Sequence, residues 1–276
     1  MIEINDLAFS YGSRNVLRNI TMKLENGRIY GLLGENGVGK TTLLTLLCGL
    51  KKLQRGSIST DGFNPYDRNP HFLENQYYLP DEVSPVHDKA VNWARGSGKF
   101  WPRFNLDRFC ELMKLFEVDY NLKMTAMSAG MLKKTYISFA LACDTGYLFM
   151  DEPTNGLDIP SKAQFRSALL KYTGEDSTIV ISTHQVRDLE NVIDPIIILD
   201  TQDVLMNASL EEISKALFFD YSNQLHPDSL YSEQLPGGFI QVRPNTLAQD
   251  SKVNIEALFN AAHRNKAVFK GFFNER

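Results

Sequence analysis

Cysteine is scarce in this chain, and its placement excludes two common roles. Three cysteines occur in 276 residues, Cys48, Cys110 and Cys143. They are widely spaced, and none lies in the CxxC or Cys/His spacing that is typical of zinc sites. Each lies in an apolar stretch, which predicts buried thiols in a reducing compartment. We therefore expect that the fold needs neither disulfides nor zinc.

Long apolar runs are also missing. The longest candidate, residues 43–50, contains Thr45 and Gly49, and it is shorter than the roughly 18 apolar residues of a membrane-spanning helix. The first residues lack the basic and apolar regions of a signal peptide. We expect a cytoplasmic chain whose membrane role, if it has one, depends on a partner chain.

Neither sign of charge dominates the composition. The chain has 29 Lys and Arg against 33 Asp and Glu, a net charge of −4, and 43% of its residues are hydrophobic. This is an ordinary globular composition, which excludes a disordered or fibrous chain. Nucleic-acid binding needs clustered Lys and Arg. We therefore expect no nucleic-acid partner.

Short alternating runs dominate residues 2–63 and predict a small antiparallel sheet. Residues 21–25 alternate, Asn26-Gly27 is typical of a hairpin turn, and residues 29–33 form an apolar strand. Further along, residues 106–116 have helical periodicity, within a helical insert at about residues 83–144.

Continuous apolar runs recur at residues 147–150, 178–182 and 196–199, with a helical stretch at 161–172 after the first. This alternation indicates a mostly parallel sheet covered by helices on both faces, an α/β fold. After Asp200 the pattern weakens. Residues 216–276 contain a turn at 236–238, a strand at 239–242 and a helix at 254–264, which predicts a small α+β extension with its own core.

A glycine-rich loop follows the strand at residues 29–33. Residues 34–41, Gly-Glu-Asn-Gly-Val-Gly-Lys-Thr, match GxxxxGK[ST] between a buried strand and a helix, where this pattern binds phosphate. The backbone N–H groups and the helix N-terminus would surround the β-phosphate. Lys40 would bridge the β- and γ-phosphates, and Thr41 would coordinate Mg²⁺. The pattern predicts a P-loop NTPase core.

Two carboxylates end the strand at residues 147–150. Asp151 is placed to hold Mg²⁺ through its water shell. Glu152 could polarise the water that attacks the γ-phosphate, which favours hydrolysis over transfer to an organic acceptor. Taken alone, the pair is also typical of a solvated strand end, but beside the phosphate loop it indicates a catalytic site.

At this point the sequence resembles the ATP-binding subunit of ABC transporters over about residues 1–215. Residues 127–131, Met-Ser-Ala-Gly-Met, resemble the family's signature, usually Leu-Ser-Gly-Gly-Gln. Residues 155–158 resemble its D-loop, and residues 181–184 resemble the strand that ends in the switch histidine. Tyr11 is placed where the family stacks an aromatic ring on adenine.

The resemblance assigns a role to each matching position. It implies catalytic roles for Glu152, His184 and Lys40. It implies nucleotide contacts from Tyr11, Gly34, Asn36, Gly37, Val38, Gly39, Lys40, Thr41, Thr42, Ser128, Gly130 and Asp158, and Mg²⁺ contacts from Thr41, Asp151 and Asp81. Ser128 is also a plausible helix N-cap, which is compatible with phosphate binding at the same helix N-terminus.

The sequence departs from the family at two places. Asp81 stands where the family has a glutamine, and it is charged, one methylene shorter and unable to donate a hydrogen bond. In the signature, Ala129 replaces a glycine and Met131 replaces the glutamine. Both departures resemble an exporter branch in which ATPase and permease are separate chains.

The resemblance implies an ATPase domain at residues 1–215 and an extension at 216–276, which we expect to regulate or stabilise a dimer. Two subunits, identical or different, would enclose two ATP and two Mg²⁺ and drive an integral-membrane permease from the cytoplasmic face of the plasma membrane. The alternatives are a soluble ABC ATPase and a weakly hydrolysing regulatory subunit. A GTPase is disfavoured because no Asn-Lys-x-Asp segment occurs.

The insert also carries aromatic residues, Trp93 and Trp101 among them, interleaved with Lys99 and Arg103. Such interleaving can bind single-stranded nucleic acid. The resemblance places this region against the membrane subunit, so we favour a protein-docking surface, and core packing explains the tryptophans equally well.

Overall fold

The computed structural model describes residues 1–273. Within that range, no helix is long and apolar enough to cross a membrane. Cys48, Cys110 and Cys143 are free thiols, and Cys48 and Cys143 are buried.

The N-terminal strands form the antiparallel sheet that the sequence predicts. They are β1 (Ile2–Tyr11), β2 (Arg14–Leu24) and β4 (Arg55–Thr60), in the order β2-β1-β4. Alternate apolar residues of β1, Ile2 and Ile4 among them, face one interior cluster. One-sided burial of this kind is what alternating polarity dictates.

A second sheet contains the remaining strands of the core. They are β3 (Ile29–Leu33), β5 (Gln76–Leu79), β6 (Tyr147–Asp151), β7 (Thr178–Thr183), β8 (Ile196–Asp200) and β9 (Asp203–Ala208). The order is β5-β6-β7-β3-β8-β9, and β9 alone of these runs antiparallel to its neighbour. The carboxyl ends of β3, β6 and β7 therefore meet at one edge.

The hairpin predicted at Asn26-Gly27 is wrong. These residues connect β2 to β3, which belong to different sheets. β3 is buried on both faces and pairs in parallel with β7 and β8, because its continuous apolar run is better satisfied in the middle of a covered sheet than in a hairpin. Gly27 still makes a tight turn, with φ of +71°.

Helices cover both faces of the six-stranded sheet. On one face, α1 (Lys40–Leu47) packs against alternate residues of β6, Tyr147 and Phe149. On the other, α5 (Ala129–Ala142) and α6 (Ile159–Tyr172) pack against Leu148 and Met150. The predicted α/β class, with an antiparallel β-subdomain beside a mostly parallel sheet, is confirmed.

The insert is helical, as its periodicity predicts. It contains α3 (Ala90–Ser97), α4 (Leu106–Leu115) and α5, and α2 (Pro70–Glu74) precedes it. The two tryptophans pack on Phe139 of α5, with ring centroids 4.6 Å away for Trp93 and 5.6 Å away for Trp101. Core packing therefore explains both rings, whereas Phe100 is 75% exposed.

The C-terminal residues form α7 (Leu210–Ala216), β10 (Leu217–Ser222), β11 (Tyr231–Leu235), β12 (Gly238–Pro244), α8 (Ile255–Arg264) and α9 (Lys266–Phe273), with a sheet in the order β10-β12-β11. The expectation of a separate core is wrong. Leu217, Val242 and Leu258 belong to the same apolar cluster as Ile196 and Ile198 of β8. The extension and the six-stranded sheet with its helices therefore bury one continuous apolar surface.

Gly27→Ala tests the close approach at the β2–β3 turn. A Cβ at Gly27 would lie 2.5 Å from the carbonyl oxygen of Glu175. We expect the free energy of unfolding to fall by about 2–4 kcal/mol, because left-handed strain and backbone overlap add. Chemical denaturation measures this loss.

The matched control is Gly62→Ala. Gly62 also has positive φ, +85°, but a Cβ there would meet nothing within 4 Å. We expect a loss of about 1–2 kcal/mol from backbone strain alone. Equal losses at Gly27 and Gly62 would contradict a role for the Glu175 contact.

Candidate functional site

The phosphate loop lies between β3 and α1, where the motif predicts it. Gly37 and Gly39 have φ of +83° and +117°, a backbone region that L side chains rarely adopt. A Cβ at Gly39 would lie 2.9 Å from Cγ1 of Val16. Gly34 begins the loop, and Val38 packs on the apolar cluster under it. Backbone conformation therefore requires glycine at positions 37 and 39. At position 39 a side chain would also overlap Val16.

Lys40 is folded back over this loop. Its Nζ donates to the carbonyl oxygens of Gly34 at 2.8 Å and Glu35 at 3.2 Å, and it lies 3.6 Å from Oε1 of Glu152. Lys40 is only 6% exposed, and burial lowers its pKa, although Glu152 and Asp151 oppose the shift. The ammonium is therefore held at the loop by oxygen atoms of the protein.

Asp151 joins α1 to β7. Its Oδ2 accepts a hydrogen bond of 2.6 Å from the hydroxyl of Thr41, and its Oδ1 accepts one from the hydroxyl of Ser182. Asp151 is 2% exposed. Carboxylate and hydroxyl oxygens are the hard ligands that Mg²⁺ prefers, so the chemistry of Thr41 and Asp151 fits this ion.

Glu152 and His184 face each other across the ends of β6 and β7. Nδ1 of His184 lies 2.9 Å from Oε1 of Glu152, and the backbone N–H of His184 donates to Oε2 at 3.4 Å. Glu152 has left-handed backbone, with φ of +45°, at the sharp turn where β6 ends. Both Lys40 and His184 therefore approach the same carboxylate oxygen.

Lys40, Asp151 and Glu152 border one open pocket of about 330 Å³, whereas the predicted site residues Gly34, Val38 and His184 do not line it. It is lined by Tyr11, Arg14, Val16, Asn36, Gly37, Gly39, Lys40, Thr41, Thr42, Asp81, Asp151 and Glu152. Ten of these twelve are predicted site residues, and Arg14 and Val16 are the two that sequence reasoning missed. Ser182 was also missed, although a serine inside an apolar strand was a usable signal.

Tyr11 stands at one end of the pocket with its ring half exposed. The ring lies edge-on to Phe9, with centroids 5.0 Å apart, and the ammonium of Lys51 lies 5.0 Å from its centroid. Its hydroxyl is 3.4 Å from Oγ1 of Thr42. An aromatic face held in this way can stack on a flat ring.

Three predicted nucleotide contacts lie away from the phosphate loop. Ser128 caps α5 by accepting the N–H of Met131 at 3.3 Å. Asp158 caps α6, and hydrogen bonds from Ser161 hold its pKa below the usual value. Gly130 lines a second pocket of about 560 Å³, which shares Asp81 with the first. Within one chain, none of these three borders the first pocket.

Comparison with known proteins identifies this arrangement. Residues 17–155 match the ABC transporter family. The chain is 30% identical over 206 residues to the ABC transporter ATP-binding protein NatA of Bacillus subtilis, covering 71% of this chain and 83% of NatA. It is 29% identical over 200 residues to the lantibiotic transport ATP-binding protein SrtF of Streptococcus pyogenes, covering 70% and 84%.

Solved structures agree. An ATP-binding subunit of an ABC transporter superposes with a TM-score of 0.69 at 25% identity, covering 77% of this chain and 91% of that one. The dimeric bacterial cassette MJ0796 superposes with a TM-score of 0.68 at 22% identity, covering 76% and 99%, which shows a shared fold. The chain therefore belongs to the ABC transporter family, as one of its ATP-binding ATPase domains.

Proposed function

We propose that this chain is the ATP-hydrolysing subunit of an ABC transporter, which dimerises around two Mg-ATP and drives a separate integral-membrane permease. The observation that carries the proposal is the convergence of Lys40, Thr41, Asp151 and Glu152 on one pocket. Positive charge, hard oxygen ligands and a carboxylate base are what phosphoryl transfer to water requires.

The geometry supports distinct roles for the charged groups. Lys40 would contact the β- and γ-phosphates from the loop. Glu152 would accept a hydrogen bond from the water that attacks the γ-phosphorus, while the bond from that phosphorus to the bridging oxygen breaks to give ADP and phosphate. His184, held beside Glu152, would orient this carboxylate and contact the γ-phosphate.

Magnesium would be held by Thr41 and Asp151. Their oxygens are 2.6 Å apart, so both are already directed at one place beside the loop. Mg²⁺ would neutralise charge on the phosphate oxygens. Asp81 lines the same pocket, but its carboxylate contacts Asn155 and Lys133.

A second ATPase chain, identical or related, would complete the site. Ser128 and Gly130, at the start of α5, lie outside the first pocket. A helix N-terminus with a serine cap and free N–H groups suits a phosphate. Head-to-tail pairing would bring these groups, and Asp158, to the nucleotide bound by the other chain.

The permease would bind the helical insert and hold the chain at the cytoplasmic face of the plasma membrane. Phe100, 75% exposed among packed aromatics, supports a contact surface there. The Ser-Ala-Gly-Met signature and the relative named for lantibiotic transport support export. The contacts of Glu152 with His184 and Lys40 favour an active ATPase over a weakly hydrolysing regulatory subunit.

Tyr11→Ala tests the adenine position. Loss of one stacked base costs about 1–3 kcal/mol, so we expect the dissociation constant for ATP to rise by about five- to hundredfold. Tyr11→Phe keeps the aromatic face and should bind ATP like the wild type. Calorimetric titration of Mg-ATP measures both, and equal affinity of Tyr11→Ala and wild type would show that adenine does not stack here.

Glu152→Gln tests hydrolysis and dimerisation together. The amide cannot act as a base, so phosphate release should fall by about 10²–10⁴-fold, while ATP binding remains. We expect this variant to form a dimer with Mg-ATP, because the bound nucleotide is no longer consumed. Light scattering after size-exclusion chromatography measures the mass, and a phosphate assay measures turnover.

Glu175→Gln is the matched control, because Glu175 precedes β7 and lies beyond the opposite end of that strand from His184. It should hydrolyse ATP like the wild type. Undiminished turnover of Glu152→Gln would exclude Glu152 as the base. A monomeric Glu152→Gln that binds ATP tightly would exclude a homodimer and favour a different ATPase partner.

A further inference from the structure

A buried lysine lies beneath the edge of the nucleotide pocket. Lys133 of α5 is 4% exposed. Its Nζ donates to the carbonyl oxygens of Asp81 at 2.6 Å and Pro80 at 3.2 Å, and it lies 3.7 Å from Oδ1 of Asp81. Burial lowers the pKa of Lys133, and the carboxylates of Asp81, Asp151 and Glu152 oppose this shift.

Such an ammonium needs a counter-ion. A charge taken out of water is costly unless it is paired and hydrogen-bonded. Among residues 1–273, Asp81 has the carboxylate within 4 Å of this ammonium. The two carbonyls accept two of its three N–H donors, but only a carboxylate balances its charge. The buried ammonium of Lys133 therefore requires the carboxylate of Asp81 as its counter-ion.

Asp81 also lines two of the pockets in the described part of the chain. It lines the nucleotide pocket together with Thr41, and it lines the second pocket together with Gly130. Its Oδ1 accepts a hydrogen bond from Nδ2 of Asn155 at 3.3 Å, in the turn that follows Glu152. Lys133, Asp81 and Asn155 thus join α5, the segment after β5 and the turn after β6.

We propose that Lys133 is a positioning residue, that Asp81 is its counter-ion rather than a ligand of Mg²⁺, and that this ion pair fixes the β5 end to α5 at the mouth of the nucleotide pocket. A carboxylate already balanced by a buried ammonium is a poor ligand for a second cation. Thr41 and Asp151, by contrast, bond to each other. The kinetic consequence rests on the proposed ATPase function.

A thermal double-mutant cycle without ATP or Mg²⁺ tests the pair itself. Asp81→Asn strands the buried ammonium, and we expect the melting temperature to fall by about 3–6 °C. Lys133→Met with Asp81→Asn should melt no lower than Asp81→Asn alone, because no charge is left unpaired. Additive losses of the two substitutions would overturn the proposal.

The matched control is the exposed pair of Lys215 and Glu211, whose charged atoms lie 2.5 Å apart. Exposed pairs contribute little, so Lys215→Met and Glu211→Gln should each shift the melting temperature by less than about 2 °C. If the melting temperatures show coupling between Lys215→Met and Glu211→Gln as large as that between Lys133→Met and Asp81→Asn, the coupling does not depend on burial of the lysine. That result would also overturn the proposal.

Mg²⁺ titrations separate positioning from metal binding. For Asp81→Asn and Lys133→Met we expect kcat to fall by about tenfold, with the Mg²⁺ concentration for half-maximal activity and the KM for ATP each within about threefold of wild type. Lys133→Arg, which keeps the charge, should restore most of the loss. A tenfold or larger increase in the Mg²⁺ requirement of Asp81→Asn, with Lys133→Met unaffected, would overturn the proposal and make Asp81 a metal ligand.

The outcomes of the hydrolysis assay and of the thermal cycle are independent of each other. If the wild type hydrolyses no ATP, the proposed function is wrong, while the thermal cycle still decides whether Lys133 and Asp81 are coupled. If the cycle is additive but hydrolysis is normal, the ATPase proposal holds and the positioning role is wrong.

Discussion

The buried carboxylate of Asp151 is the constraint on which the rest of the site depends. It is 2% exposed, so both of its oxygens must find donors inside the protein. They find them in Thr41, on the first turn of α1, and in Ser182, paired with Asp151 in the sheet register. One side chain therefore fixes the phosphate-loop helix against two neighbouring strands. The parallel order of β6, β7 and β3 makes this possible, because it brings all three carboxyl ends to one edge.

Two buried lysines extend the same logic to the rim of the pocket. Lys40 is balanced by Glu152, whose other contact is His184, and Lys133 is balanced by Asp81. Each ammonium also donates to two backbone carbonyls. Charges that the fold holds in place are the condition under which electrostatic stabilisation of a transition state is largest. Burying these charges costs free energy. The burial of the continuous apolar clusters on both faces of the sheet offsets this cost.

Much of this could be predicted from the sequence where the signal is local. The phosphate loop, the Asp151-Glu152 pair and the apolar strands are each defined within a few residues, and their expected positions agree with the structure. Contacts between residues far apart in the sequence could not be predicted in the same way. Asn26-Gly27 is a sound hairpin signal, but the burial of β3 on both faces decides its partners. Lys133 and Asp81 lie 52 residues apart, and no local pattern marks the lysine as buried, because its helix is apolar on nearly all sides.

The turn, the strand and the helix predicted in the C-terminal residues are present, but local patterns did not show that these residues complete a surface that belongs to the core. Beyond the shared apolar cluster, Nζ of Lys266 lies 2.5 Å from Oδ2 of Asp200, at the end of β8. Leu199 immediately precedes Asp200, and its carbonyl oxygen is close to the phosphate loop. A Cβ at Gly34 would lie 2.7 Å from this oxygen. In the adjoining turn, the carbonyl of Gln202 accepts a hydrogen bond of 2.7 Å from the backbone N–H of Arg18. The helices after residue 254 therefore hold the turn that supports the back of the loop, and the requirement for glycine at position 34 arises partly from a segment that the loop motif does not contain.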